Sequence, residues 1–98
     1  MTLLLVIYSL AADAPTSLTA SIIDSTSINV SWTAPVGGAN GYIVVYDDNT
    51  EQVSSTQTVL SGLSPTIHNI TVHGYKDVPS VGSNTVSILL NGMHYIYM

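Results

Sequence analysis

From Pro15 onward, apolar and polar side chains alternate with a period of two. Leu18, Ala20 and Ile22 alternate with Thr19 and Ser21, and Ile28, Val30 and Trp32 with Asn29 and Ser31. Tyr42, Val44 and Tyr46 alternate with Ile43 and Val45; Ile70 and Val72 with Asn69, Thr71 and His73; Val86 and Ile88 with Thr85 and Ser87. Successive side chains of a strand point to opposite faces, so each run predicts a strand with one face on a core. No helical stripe competes, and the density of Ser, Thr, Val and Ile favours extended chain. Turn chemistry separates the runs: Asp24-Ser25, Pro35-Val36-Gly37-Gly38, Asp47-Asp48-Asn49, Gly62 with Pro65, and Pro79 through Asn84. This spacing predicts an all-β sandwich or barrel with Ser27–Trp32, Tyr42–Tyr46 and Ile67–Gly74 as core strands. Asn40-Gly41 is a hairpin cue. The linker from Ala34 to Gly41 is longer than a two-residue turn, however, and can equally cross between sheets.

Composition narrows the partners. The 98 residues hold one domain's worth of core, with 46% apolar and 7% charged side chains. Lys76 is the single basic residue against six carboxylates, Asp13, Asp24, Asp47, Asp48, Glu51 and Asp77, for a net charge of −5. Nucleic-acid backbones and anionic membrane surfaces both require Lys and Arg, so both are excluded as partners. The absence of cysteine excludes a disulfide scaffold and thiolate zinc sites without fixing the compartment.

Both ends stand apart from the alternating body. Residues 1–13 carry the apolar run Leu3–Leu10, followed by Ala11, Ala12 and Ala14. They read either as a signal peptide lacking a basic n-region or as a remnant of a preceding segment. The run is too short for a transmembrane helix, which needs about 20 apolar residues. The expected domain is 14–91, and residues 92–98, including Met93–Met98, have no assigned role.

Six segments in order resemble a fibronectin type III domain. Ala14-Pro15-Thr16-Ser17-Leu18 is similar to the start of strand A, and Ser27–Trp32 to strand B with its tryptophan. Gly41–Tyr46 resembles strand C, Leu60–Pro65 the E–F corner, Ile70-Thr71-Val72 with Gly74 strand F, and Gly82–Ile88 strand G. The resemblance implies an immunoglobulin-like sandwich of about seven strands in sheets A-B-E and C-C′-F-G. It also implies a core signature of Trp32, Tyr42, Tyr46, Leu63 and His68. The Ala34–Gly41 linker would then cross between sheets. The implied role is a non-catalytic extracellular module of an adhesion or receptor-type protein, with a protein or a neighbouring domain as partner and no cofactor. A stand-alone secreted binding protein is the alternative. Where the family has a tyrosine whose hydroxyl bonds back to the corner, this chain has His68, after an interval one residue shorter. A shifted and weaker corner is expected, with His68, Ile70 and Val72 inward.

Candidate sites follow from the alternation. Asn29-Val30-Ser31 and Asn69-Ile70-Thr71 are N-glycosylation sequons whose asparagines face outward on different sheets. Ile43 and Val45, beside Thr71, His73 and Tyr75, form an exposed stripe that is a candidate protein-binding face. A glycan on Asn69 would compete for that same sheet. The expected F–G loop, Tyr75–Gly82, has neither Arg-Gly-Asp nor a Trp-Ser-X-Trp-Ser box, and its Lys76-Asp77 reads as a solvated pair. His68 and His73 fall on opposite faces of one strand and cannot share a metal; His94 lies in the tail. Asp47-Asp48-Asn49 lacks the further spaced carboxylates of a calcium loop and reads as a turn. No nucleophile elbow, phosphate loop or convergent acid pair is present, so no catalytic residue is assigned.

Overall fold

Eight strands form two antiparallel sheets in the computed structural model, which describes residues 13–90. The leader reading, the tail and His94 lie outside the described residues. The strands are β1 (Thr16–Asp24), β2 (Ser27–Thr33), β3 (Gly41–Tyr46), β4 (Asn49–Val53), β5 (Gln57–Leu60), β6 (Ile67–Tyr75), β7 (Pro79–Gly82) and β8 (Val86–Leu89). One sheet is ordered β1-β2-β5 and the other β4-β3-β6-β7, with β8 also pairing β6. These are the A-B-E and C′-C-F-G sheets of the expected sandwich. Asn40-Gly41 therefore closes no hairpin, because the linker before it carries the chain from one sheet to the other.

The core is what the alternation placed inward. Leu18, Ile28, Val30, Trp32 and Leu60 from one sheet meet Tyr42, Val44, Ile70 and Val72 from the other, with Leu63 and Leu90 closing the exit end. Each fully buried aliphatic side chain contributes about 1.5–3 kcal/mol. Trp32 and Tyr42 meet edge to face across the sheets, ring centroids 5.3 Å apart at 68°. Such a contact adds about 0.5–1.5 kcal/mol beyond its buried area. Tyr46 is half-buried against this core, whereas Ile22, expected inward, is 45% exposed on edge strand β1 although its partner Ile28 is fully buried.

Two departures from the expected strands have local causes. The expected F–G loop is mostly strand: β6 runs through Tyr75 and β7 begins at Pro79, leaving Lys76–Val78 as the connection. Serine side chains make this pairing possible where the ladder is irregular. Ser80 Oγ accepts the Gly74 N–H at 2.8 Å, Ser83 Oγ accepts the Val72 N–H at 3.0 Å, and His73 Nδ1 donates to the Ser80 carbonyl at 2.9 Å. Strand G is then split into β7 and β8, so the count is eight rather than about seven.

The split is used by the other sheet. In β1, Ser17 (φ 56°) and Leu18 lie between the pairs Thr16↔Thr33 and Thr19↔Ser31, where β2 has only Trp32. That bulge releases the Leu18 backbone from the ladder while its side chain stays in the core. Asn84, between β7 and β8, takes both released groups: Oδ1 accepts the Leu18 N–H at 3.0 Å and Nδ2 donates to the Leu18 carbonyl at 3.2 Å. One carboxamide thus joins the edges of the two sheets.

Candidate functional site

The outer face of the β4-β3-β6 sheet assembles the residues expected there. Ile43 stands opposite His73, Val45 opposite Thr71, and Gly41 opposite Tyr75. On the far side, β4 adds Gln52 beside Ile43 and Thr50 beside Val45. Ile43, Val45, Thr71 and His73 are half-buried by one another, so the stripe is flatter and less exposed than alternation alone suggests; Tyr75 is 39% exposed. Among the described residues no carboxylate or lysine side chain lies on this face: Glu51 pairs with inward-facing Val44, Asp24 ends β1 in the other sheet, and the remaining charges sit in turns or ahead of β1. Where Asn40, Ile43, Gln52, Ser54 and Tyr75 meet, the face opens into a groove of 360 Å³.

Both sequon asparagines face outward, one on each sheet. Asn69 is exposed, and its Oδ1 accepts the Ser87 hydroxyl hydrogen from β8. Asn29 is half-buried, and its Oδ1 accepts from Gln57 Nε2 at 2.9 Å. Lys76 does not pair with Asp77. Its ammonium donates to the Gly37 carbonyl at 3.1 Å, tying the β6–β7 connection to the β2–β3 linker.

His68 is buried, with 2% of its surface exposed, and has three polar neighbours. Nε2 donates to the Ser64 carbonyl at 2.8 Å and lies 3.4 Å from Thr66 Oγ1, while Nδ1 donates to Asp47 Oδ2 at 2.7 Å. A carbonyl and a carboxylate only accept, so this arrangement favours the imidazolium, in which both ring nitrogens carry hydrogen. Burial works against that charge. The Ser64 carbonyl and the Asp47 carboxylate outweigh it, raising the His68 pKa above its ordinary value. Asp47 occupies the first position of the Asp47-Asp48 turn joining β3 to β4, with φ 55°. Asp tolerates this left-handed backbone better than most residues. Nothing in the sequence marks Asp47 as more than a turn residue; only the juxtaposition of two loops shows its second role. Among the described residues no three His, Asp or Glu side chains gather to hold a metal ion.

Residues 13–86 match the fibronectin type III domain. The chain belongs to that family. Solved structures carry the same fold. The FN1–FN3 domains of chicken CNTN1 superpose with a TM-score of 0.75 at 24% identity, covering 82% of this chain and 31% of that one. The FN5 domain of Drosophila Lar gives 0.71 at 22% identity, covering 83% of this chain and 98% of that one. Domains from titin give 0.72 at 21% identity, covering 83% and 32%. This chain thus spans about a third of the CNTN1 and titin structures. In this fibronectin type III domain the inward His68 stands at the corner position expected for the tyrosine. It bonds back to the corner through Ser64 and, beyond that, recruits Asp47. The ring is therefore held by two hydrogen bonds, of which the one to Asp47 is also a charge pair.

Proposed function

We propose that this fibronectin type III domain is a non-catalytic extracellular interaction or spacer module of an adhesion or receptor-type protein. One observation carries the module part of the reading: the chain enters and leaves at opposite ends of the sandwich. It enters β1 with Thr16 opposite Thr33 at the Tyr75 end, where the Asn40 N–H also bonds the Tyr75 carbonyl. It leaves β8 with Leu89 opposite Ile67, and the Leu90 N–H bonds the Thr66 carbonyl in the corner loop. Opposed ends suit a domain strung in a row, as the multi-domain CNTN1 and titin structures are. The His68–Asp47 pair supports a non-catalytic role, since both imidazole nitrogens are committed to holding the corner. The outer face bearing Ile43, Val45, Thr71, His73 and Tyr75 is the surface offered to a protein partner or a neighbouring domain.

Antibodies raised against the domain should label intact cells, or their medium, without permeabilisation. Labelling only after permeabilisation overturns the extracellular reading. The size of the captured protein separates the two forms of it. A chain much larger than 10.3 kDa supports a module, whereas one near that mass supports a small secreted binding protein.

A further inference from the structure

Ile67 and Leu89 are cross-strand neighbours on the outer face, 59% and 52% exposed. Among the described residues they are the one registered pair in which both members are large exposed aliphatics. They also sit where β8, which pairs only β6 among the described residues, ends the sheet, and an exposed apolar pair at a sheet edge invites association with another chain. The next pair along the same face is Asn69 with Ser87, two residues or about 7 Å away. Asn69 begins the sequon Asn69-Ile70-Thr71, is exposed, and has its Oδ1 engaged by Ser87, which leaves Nδ2 without a partner among the described residues. Nδ2 is the atom that carries an N-linked sugar. Asn29 differs: it is half-buried and holds Gln57 across to β5.

We propose that Asn69, rather than Asn29, carries an N-linked glycan whose stem covers the Ile67–Leu89 pair. A bulky, solubilising modification here shields the apolar edge that the fold leaves open. The glycan then occupies the Leu89 half of the outer face. The groove at Tyr75 lies six residues further along β6, at about 3.3 Å per residue, and remains open. The proposal rests on the extracellular reading, because N-linked sugars are added in the secretory pathway.

The test uses the full chain in eukaryotic cells, once as it stands and once behind a supplied secretion leader. With the leader, the wild type and Asn29→Gln should show the same glycosidase-sensitive mass shift. Asn69→Gln and Thr71→Ala, which breaks the sequon while leaving Asn69, should show none. A shift retained in Asn69→Gln, or lost in Asn29→Gln, overturns the assignment. Sedimentation then tests the covering role. Asn69→Gln should self-associate at concentrations where the glycosylated wild type is monomeric, and adding Ile67→Thr with Leu89→Thr should restore the monomer. An Asn69→Gln protein that stays monomeric overturns that role. If the leader-bearing chain is glycosylated while antibodies find the natural protein only inside cells, the extracellular reading fails and the assignment stands as chemistry of this site.

Discussion

Nδ1 of His68 lies 2.7 Å from Oδ2 of Asp47, joining the start of strand β6 to the β3–β4 turn. The ring is buried, whereas the aspartate side chain is 36% exposed. The bond from Nε2 to the Ser64 carbonyl stands where the family pattern places a phenolic hydrogen bond; the Asp47 bond is additional, and its strength depends on protonation of the ring.

Stability should therefore fall as pH rises. The folded-state pKa of His68 is raised above its ordinary 6.5, so its contribution is fully present below about pH 6.5 and is lost as pH climbs through the raised value. Urea unfolding at pH 6 and pH 9 should show the higher midpoint at pH 6. His68→Phe, which keeps the burial and removes both hydrogen bonds, should abolish this alkaline slope. A wild-type midpoint that does not move would show that the ring titrates equally in the folded and unfolded chain.

Substitutions at Asp47 separate its charge from its backbone. Asn accepts the positive φ that Asp47 adopts, so Asp47→Asn tests the charge alone. We expect a loss of about 1–2 kcal/mol, less than a fully buried pair would give because water screens the exposed carboxylate. NMR titration of His68 should show its pKa falling in this variant. Asp47→Gly removes the acceptor as well as the charge, leaving the buried His68 Nδ1–H without a partner, and should be less stable than Asp47→Asn.

Asn84 should matter more than an exposed loop asparagine usually does. Truncation to Ala leaves the Leu18 N–H and carbonyl without partners beside the core, costing about 1–3 kcal/mol in chemical denaturation. Asn84→Asp keeps an acceptor for the N–H but sets a carboxylate against the Leu18 carbonyl, so it should rescue only part of the loss.

Gly82 is required by close approach rather than by backbone conformation. A Cβ built there would lie 2.5 Å from Thr71 Cγ2 and 3.3 Å from the His73 ring. Gly82→Ala should destabilise by about 1–3 kcal/mol through overpacking. Thr71→Ser removes the offending methyl and keeps the hydroxyl that meets Thr85, so the double variant should recover much of the loss. An additive double mutant would place the strain elsewhere.

The period-two pattern determined a great deal by itself: the all-β class, the core strands, and the inward set of Ile28, Val30, Trp32, Tyr42, Val44, His68, Ile70 and Val72. That information is local, because side-chain direction in a strand depends only on parity. It also placed Asn29 and Asn69 outward and set His68 and His73 on opposite faces, while the sheets of the two asparagines followed from the family resemblance. The tertiary structure decided what parity cannot express. Whether Asn40-Gly41 turned a hairpin or ended a crossover depended on which strands found each other. The extension of β6 and β7 through the expected loop depended on Ser80 and Ser83 meeting particular N–H groups. The partnership of His68 with Asp47, and of Asn84 with Leu18, joins residues 21 and 66 positions apart. No local pattern specifies such pairs; packing two sheets face to face brings their connecting loops and edges within hydrogen-bonding distance.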